Sequence, residues 1–142
     1  MTINTVADKM VINTIVDKMA TTTIVDKDGN SIAYDNATVP PDRHFRDAWL
    51  LSGSIITEDM KGSKILFKDK IREARILLFD AEDVIYMRAL EAADADAQAT
   101  SIAVKTALRD APDNSAIDNA NTISDLRAAW DTDVLGDSPY AK

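Results

Sequence analysis

EDMKGSKILFKDKIREARILLFDAEDVIYMRALEAA, residues 58–93, is the stretch that decides the architecture of this chain. Phe67, Ile71, Ala74, Leu78, Ala81 and Ile85 recur at three- and four-residue spacing, which stacks them as one apolar stripe along a helix. Arg72, Glu73, Asp80, Glu82, Asp83 and Arg88 fall mostly between stripe positions and keep the other faces in water. Apart from Gly62 near its start, the stretch has no glycine or proline, which cost about 1 and about 3 kcal/mol respectively in a helix interior. The spacing predicts one helix over 59–93, roughly 45 Å long at about 1.5 Å per residue.

Downstream, Ala93-Asp94-Ala95-Asp96 reverses the chain, and either aspartate is suited to cap a second helix over 96–110. Its apolar face reads Ala97, Ile102, Val104, Ala107 and Leu108, and Pro112 stops it. So short a connection makes an antiparallel helical hairpin. The second arm, roughly 23 Å long at about 1.5 Å per residue, protects only the carboxy-terminal half of the first. The other half needs a different cover. Candidates are segment 37–57, a short last helix over 122–130 in which Ile123, Leu126 and Trp130 share a face, or the same helix of a neighbouring chain. Residues 113–120 read as a short helical turn, and 136–142 as a loosely held tail.

Upstream, the first thirty residues carry a repeat of nine: INTVADKMV from Ile3, INTIVDKMA from Ile12 and TTTIVDKDG from Thr21. Threonine at 5, 14 and 23, aspartate at 8, 17 and 26, and lysine at 9, 18 and 27 hold the register. The Thr, Ile and Val content favours short extended segments. Such a segment is either a solvated tail or an arm that pairs with a strand edge or groove of another subunit, and regular strand-forming residues favour the arm. Thr5, Val6, Thr14, Ile15, Thr23 and Ile24 are its partner-binding candidates.

The third copy runs into Asp28-Gly29-Asn30 between Thr23-Ile24-Val25 and Ser31-Ile32-Ala33-Tyr34, predicting a β-hairpin over 22–35. The alternation of Asp26, Asp28 and Asn30 also suits a calcium loop, but the glycine comes too early and Ala37 stands where the bidentate glutamate belongs. A second hairpin follows at 50–56, with Ser52-Gly53 as its turn. Between the two, Pro40-Pro41 ends any strand and Asp42 caps a short helical turn that carries Phe45 and Trp49 on one side, as anchors to the core. The expected fold class is α+β. An extended arm with hairpin, 1–37, precedes a mainly helical module, 38–135, and a loose tail, 136–142.

Lys+Arg 16 against Asp+Glu 24 leaves a net charge of −8, a field that repels nucleic-acid phosphates and anionic membranes. No run approaches the ~20 apolar residues of a membrane span, and the amino terminus, broken by Asp8 and Lys9, does not read as a signal peptide, so the chain is expected to be soluble and retained where it is made. With no cysteine, one isolated histidine, His44, and no phosphate-cradling glycine loop, nothing reads as an enzyme, a metal centre or a cofactor site.

VPPDRHFRDAW (39–49), GSIITEDM (53–60), KDKIREAR (68–75), YMRALEA (86–92), KTALRDAP (105–112) and ISDLRAAW (123–130) together resemble a carboxy-terminal module of small structural proteins encoded beside the tail-fibre genes of tailed bacteriophages. The resemblance spans 38–135, and departs from the family pattern where Thr-Pro-Glu-Glu-Leu is replaced by Thr122-Ile123-Ser124-Asp125-Leu126. The repeat has no counterpart in it. The resemblance implies a virion protein, made in the bacterial host cytoplasm, that acts as a tail-fibre or baseplate-associated subunit. Its partners would be other phage structural proteins, in a homo- or hetero-oligomer without nucleic acid or membrane. A tail-fibre assembly chaperone and a capsid cement protein are the alternatives. Phe45, Trp49, Phe67, Ile71, Leu78 and Trp130 complete the structural and partner-binding candidates.

Overall fold

The computed structural model describes residues 22–141. The nonapeptide copies before Thr22, with Thr5, Val6, Thr14 and Ile15, lie outside the described residues. The fold is α+β: two β-hairpins, then a helical hairpin, then short terminal helices. It divides into two compact units, one ending at Ser63 and the other beginning at Lys64.

In the first unit, β1 (Thr23–Val25) pairs antiparallel with β2 (Ser31–Ala33). The turn forms as Asp-Gly predicts: Gly29 donates to the Asp26 carbonyl at 3.1 Å and Asp26 N–H to the Asn30 carbonyl at 2.8 Å. Gly29 has φ +89°, the left-handed residue that closes a three-residue hairpin loop. β3 (Trp49–Ser52) pairs with β4 (Ile55–Glu58) in the register Ser52↔Ile55, so the turn is Gly53-Ser54 and not Ser52-Gly53. The shift has a steric reason. Gly53 has φ +64°, and a two-residue hairpin loop with glycine first keeps the strands' right-handed twist.

Ile24, Trp49 and Ile56 make the unit's core, with Ile32, Ala37, Val39 and Leu51 packed around them. The expected boundary at 37/38 falls inside this unit. Thr38 donates to the Ser54 carbonyl and accepts from Ile56 N–H, each at 2.8 Å, so it bridges onto β4. Phe45 and Trp49 are both buried, but not on one helical face: a 3-10 turn, Arg46–Ala48, separates them, and Trp49 opens β3. Gly62 lies where an added Cβ would come within 3.1 Å of the Ala48 Cβ, so close packing accounts for a glycine in the first helical turn.

α1 (Met60–Glu91) begins where Asp59 caps it: its carboxylate accepts from Gly62 N–H at 3.1 Å and its carbonyl from Ser63 N–H at 2.8 Å. It ends with Asp94 N–H on the Ala89 carbonyl and Ala93 N–H on the Leu90 carbonyl, the two bonds of a Schellman close. Ala93 takes the left-handed position, φ +54°, that glycine occupies at no steric cost. Ala93→Gly should therefore stabilise the chain by about 0.5 to 1 kcal/mol. A higher urea midpoint at constant slope is the expected readout, and an unchanged midpoint would show that this turn holds no strain.

α2 (Ala95–Asp110) is capped by Asp94, which accepts from Ala97 N–H at 3.0 Å, and runs back along α1. The alignment shows in three contacts: Gln98 Nε2 to the Ala89 carbonyl at 3.3 Å, Ser101 Oγ to the Glu82 carbonyl at 3.3 Å, and Arg75 to the Leu108 and Arg109 carbonyls at 3.0 and 2.8 Å. Arg75 thereby serves the open carbonyls at the end of α2. α3 (Ser115–Asn119), α4 (Ile123–Ala128) and α5 (Thr132–Leu135) follow. α4 starts on a complete capping box between Thr122 and Asp125, so its first turn is closed without a proline.

The amino-terminal half of α1 in this unit is covered from within the chain. Phe67 and Ile71 are buried, and Trp130 meets the Phe67 ring edge-on at 5.9 Å. The expectation of a loose tail at 136–142 is corrected for its described residues, 136–141. Tyr140 is 6% exposed, stacks on Phe67 at 5.2 Å, and its carbonyl accepts from Arg127 Nε at 2.9 Å. Trp130 Nε1 donates to the Gly136 carbonyl at 3.0 Å. An aromatic trio, with its indole N–H paired, holds Tyr140 against α1.

Candidate partner-binding surface

Asp26 is 6% exposed, and its carboxylate accepts four hydrogen bonds: Asp28 N–H at 2.9 Å and Asn30 N–H at 2.8 Å on Oδ1, Leu51 N–H at 2.9 Å and Asn30 Nδ2 at 3.2 Å on Oδ2. Lys27 N–H also donates to the Trp49 carbonyl at 3.0 Å, so the first hairpin loop is clasped to β3. The Asp26 oxygens that a calcium loop would aim at a cation face N–H donors instead. Burial raises the Asp26 pKa, but the bonds from Leu51, Asn30 and Asp28 outweigh it and hold the carboxyl below its ordinary 3.8.

Glu58, opposite Trp49 in the register, shifts the other way: burial, with the Asp42 carboxylate adding to it, raises its pKa above 4.5. His44 is exposed and held locally, its N–H and its Nδ1 each 2.9 Å from Asp42 Oδ1. Among the described residues no group of three His, Cys, Asp or Glu is arranged to hold a metal ion, and no helix is long and apolar enough to cross a membrane. Arg43 and Arg46 each lie 5.9 Å from the Trp49 ring, and Arg43 also donates to Tyr34 Oη at 2.9 Å, which seals the edge of the small core.

Most of the predicted candidates among the described residues are core residues. Ile24, Phe45, Trp49, Phe67, Ile71 and Trp130 are buried, whereas Thr23 and Leu78 are half-buried. The stripe on α1 departs from its sequence-based course after Leu78: Ala81 and Ile85 are exposed, and Glu82 and Ala89 take the buried positions facing α2. On α2, Ile102 and Val104 are exposed, and Ser101 is buried with Leu108. Small and polar side chains fill this end of the hairpin because Ser101 sits close enough to hydrogen-bond the α1 backbone, which leaves no room for an isoleucine.

The exposed apolar residues of α1 stand out. Ile76, Leu77, Val84, Ile85, Met87 and Leu90 are all exposed within fifteen residues of α1, Leu77 at 76%. Single exposed apolar side chains are ordinary, whereas six within fifteen residues of one helix form a concentration. Of this set, hydrophobic periodicity assigns Ile85 alone to the core.

No family model, curated protein or solved structure matches this chain.

Proposed function

We propose that this chain is a structural subunit of a tailed-bacteriophage particle, associated with the tail fibre or baseplate, with no catalytic role. Its amino-terminal repeats join a partner protein, and its helical unit offers a second contact surface. The carrying observation is the order and spacing of the six motif segments over 38–135. Their buried residues support it: Trp49, Ile56, Ile71, Ala89, Leu108 and Leu126 come one from each segment in turn. The motif is therefore a folding signature distributed along the chain. The exposed apolar helix surface is in keeping with a subunit that packs against others.

Mass spectrometry of purified particles tests the assignment. The expected result is the chain present at tens of copies or fewer per particle, and its loss from particles when residues 2–21 are deleted. Absence from finished particles would overturn it in favour of an assembly chaperone, and hundreds of copies would do so in favour of a capsid cement protein.

A further inference from the structure

We propose that two copies of this chain pair through α1, antiparallel, about a two-fold axis beside Ala81. One exposed stripe of α1 reads Lys70, Glu73, Leu77, Ala81, Val84, Arg88 and Glu91. Its three- and four-residue steps trace a seam along which one helix packs on another. The stripe is distinct from the side that meets α2, which is marked by Arg75, Glu82 and Ala89.

The order of charges selects the occupant. From its amino-terminal end the stripe reads positive, negative, three apolar residues, positive, negative. Laid antiparallel on a second copy, Leu77 meets Val84, Glu73 meets Arg88 and Lys70 meets Glu91, and two-fold symmetry makes every pair twice. A parallel pairing sets each charge against its own kind, so it is disfavoured at all four charged positions. Ala81, at the centre, is small enough for the helices to approach closely there. Within one chain Lys70 and Glu73 already pair at 3.0 Å, but both are exposed, and such a pair is held too weakly to prevent exchange across the interface. The pairing does not depend on the virion assignment, since each is read by a different measurement.

Light scattering on the full chain after size exclusion, over a range of concentrations, tests it. The expected mass is near twice the chain's 15.5 kDa, falling to the monomer value in Leu77→Glu/Val84→Glu with the helical circular dichroism unchanged. Arg88→Glu should weaken the dimer by at least about tenfold by opposing two glutamates, and adding Glu73→Arg should restore it. A wild-type chain that stays monomeric up to about 1 mM overturns the proposal. So does an oligomer that survives the Leu77→Glu/Val84→Glu change, or a double charge reversal no tighter than the single one.

Discussion

Replacing Phe67 with alanine is expected to destabilise the helical unit by about 3 to 5 kcal/mol, the cost of emptying a buried aromatic site. Phe67 is fully buried, and its ring is the shared partner of Trp130 and Tyr140, which themselves meet at 6.0 Å. The loss would spread along the chain, because Tyr140 would give up its stacking surface and the last residues their anchor. Two indole signals make the effect readable in the intact protein, since Trp49 lies in the first unit and Trp130 in the second. In urea the Trp130 signal should shift to a lower midpoint, and the last residues should become open to carboxypeptidase. A change below about 0.5 kcal/mol, the scale of surface substitutions, would show that the aromatic trio does not hold this unit together.

The second large effect is at Asp26, where alanine should destabilise the first unit by about 2 to 4 kcal/mol by leaving three backbone N–H groups without their acceptor. The isosteric Asp26→Asn also costs, because an amide presents an NH₂ to at least one of the donors that now face carboxylate oxygen. The pH dependence follows from the sign of the shift. The folded pKa of Asp26 is depressed, so its contribution is complete above 3.8 and is lost as pH falls through the lower folded value. Glu58 acts in the opposite sense. Its raised pKa means that the folded state takes up a proton above 4.5, and the unit gains stability there as pH falls. The Trp49 midpoint should therefore rise slightly on acidification towards 4.5 and drop below 3.8, and in Asp26→Asn the drop attributable to this carboxyl should vanish. An identical acid limb in wild type and Asp26→Asn would show that the clasp does not depend on the charge.

Local rules account for much of this architecture. Residues 60–91 are helical because good helix formers run there with no glycine or proline after Gly62, Asp28-Gly29 turns because glycine accepts positive φ, and Asp94 and Thr122 start helices because their side chains reach free N–H groups. Each of these depends on residues within a few positions, so the sequence by itself determined them. The order of hairpins, helical hairpin and terminal helices follows from them directly.

Tertiary structure decided what depends on distant residues. Asp26 looked like a loop carboxylate, and only the approach of β3, twenty-five residues on, supplies the Leu51 N–H that makes it a clasp and places the unit boundary after Ser63 rather than Ala37. Tyr140 looked like tail because two residues of local sequence cannot announce a ring stack on a helix more than seventy positions earlier. The face of α1 was misread beyond Leu78 for a related reason. Hydrophobicity marks which residues prefer burial, but which ones are buried depends on where α2 lies, and its small Ser101 meets Glu82 and not Ile85. Burial is a property of the pair of surfaces, and one helix's sequence contains only one of them.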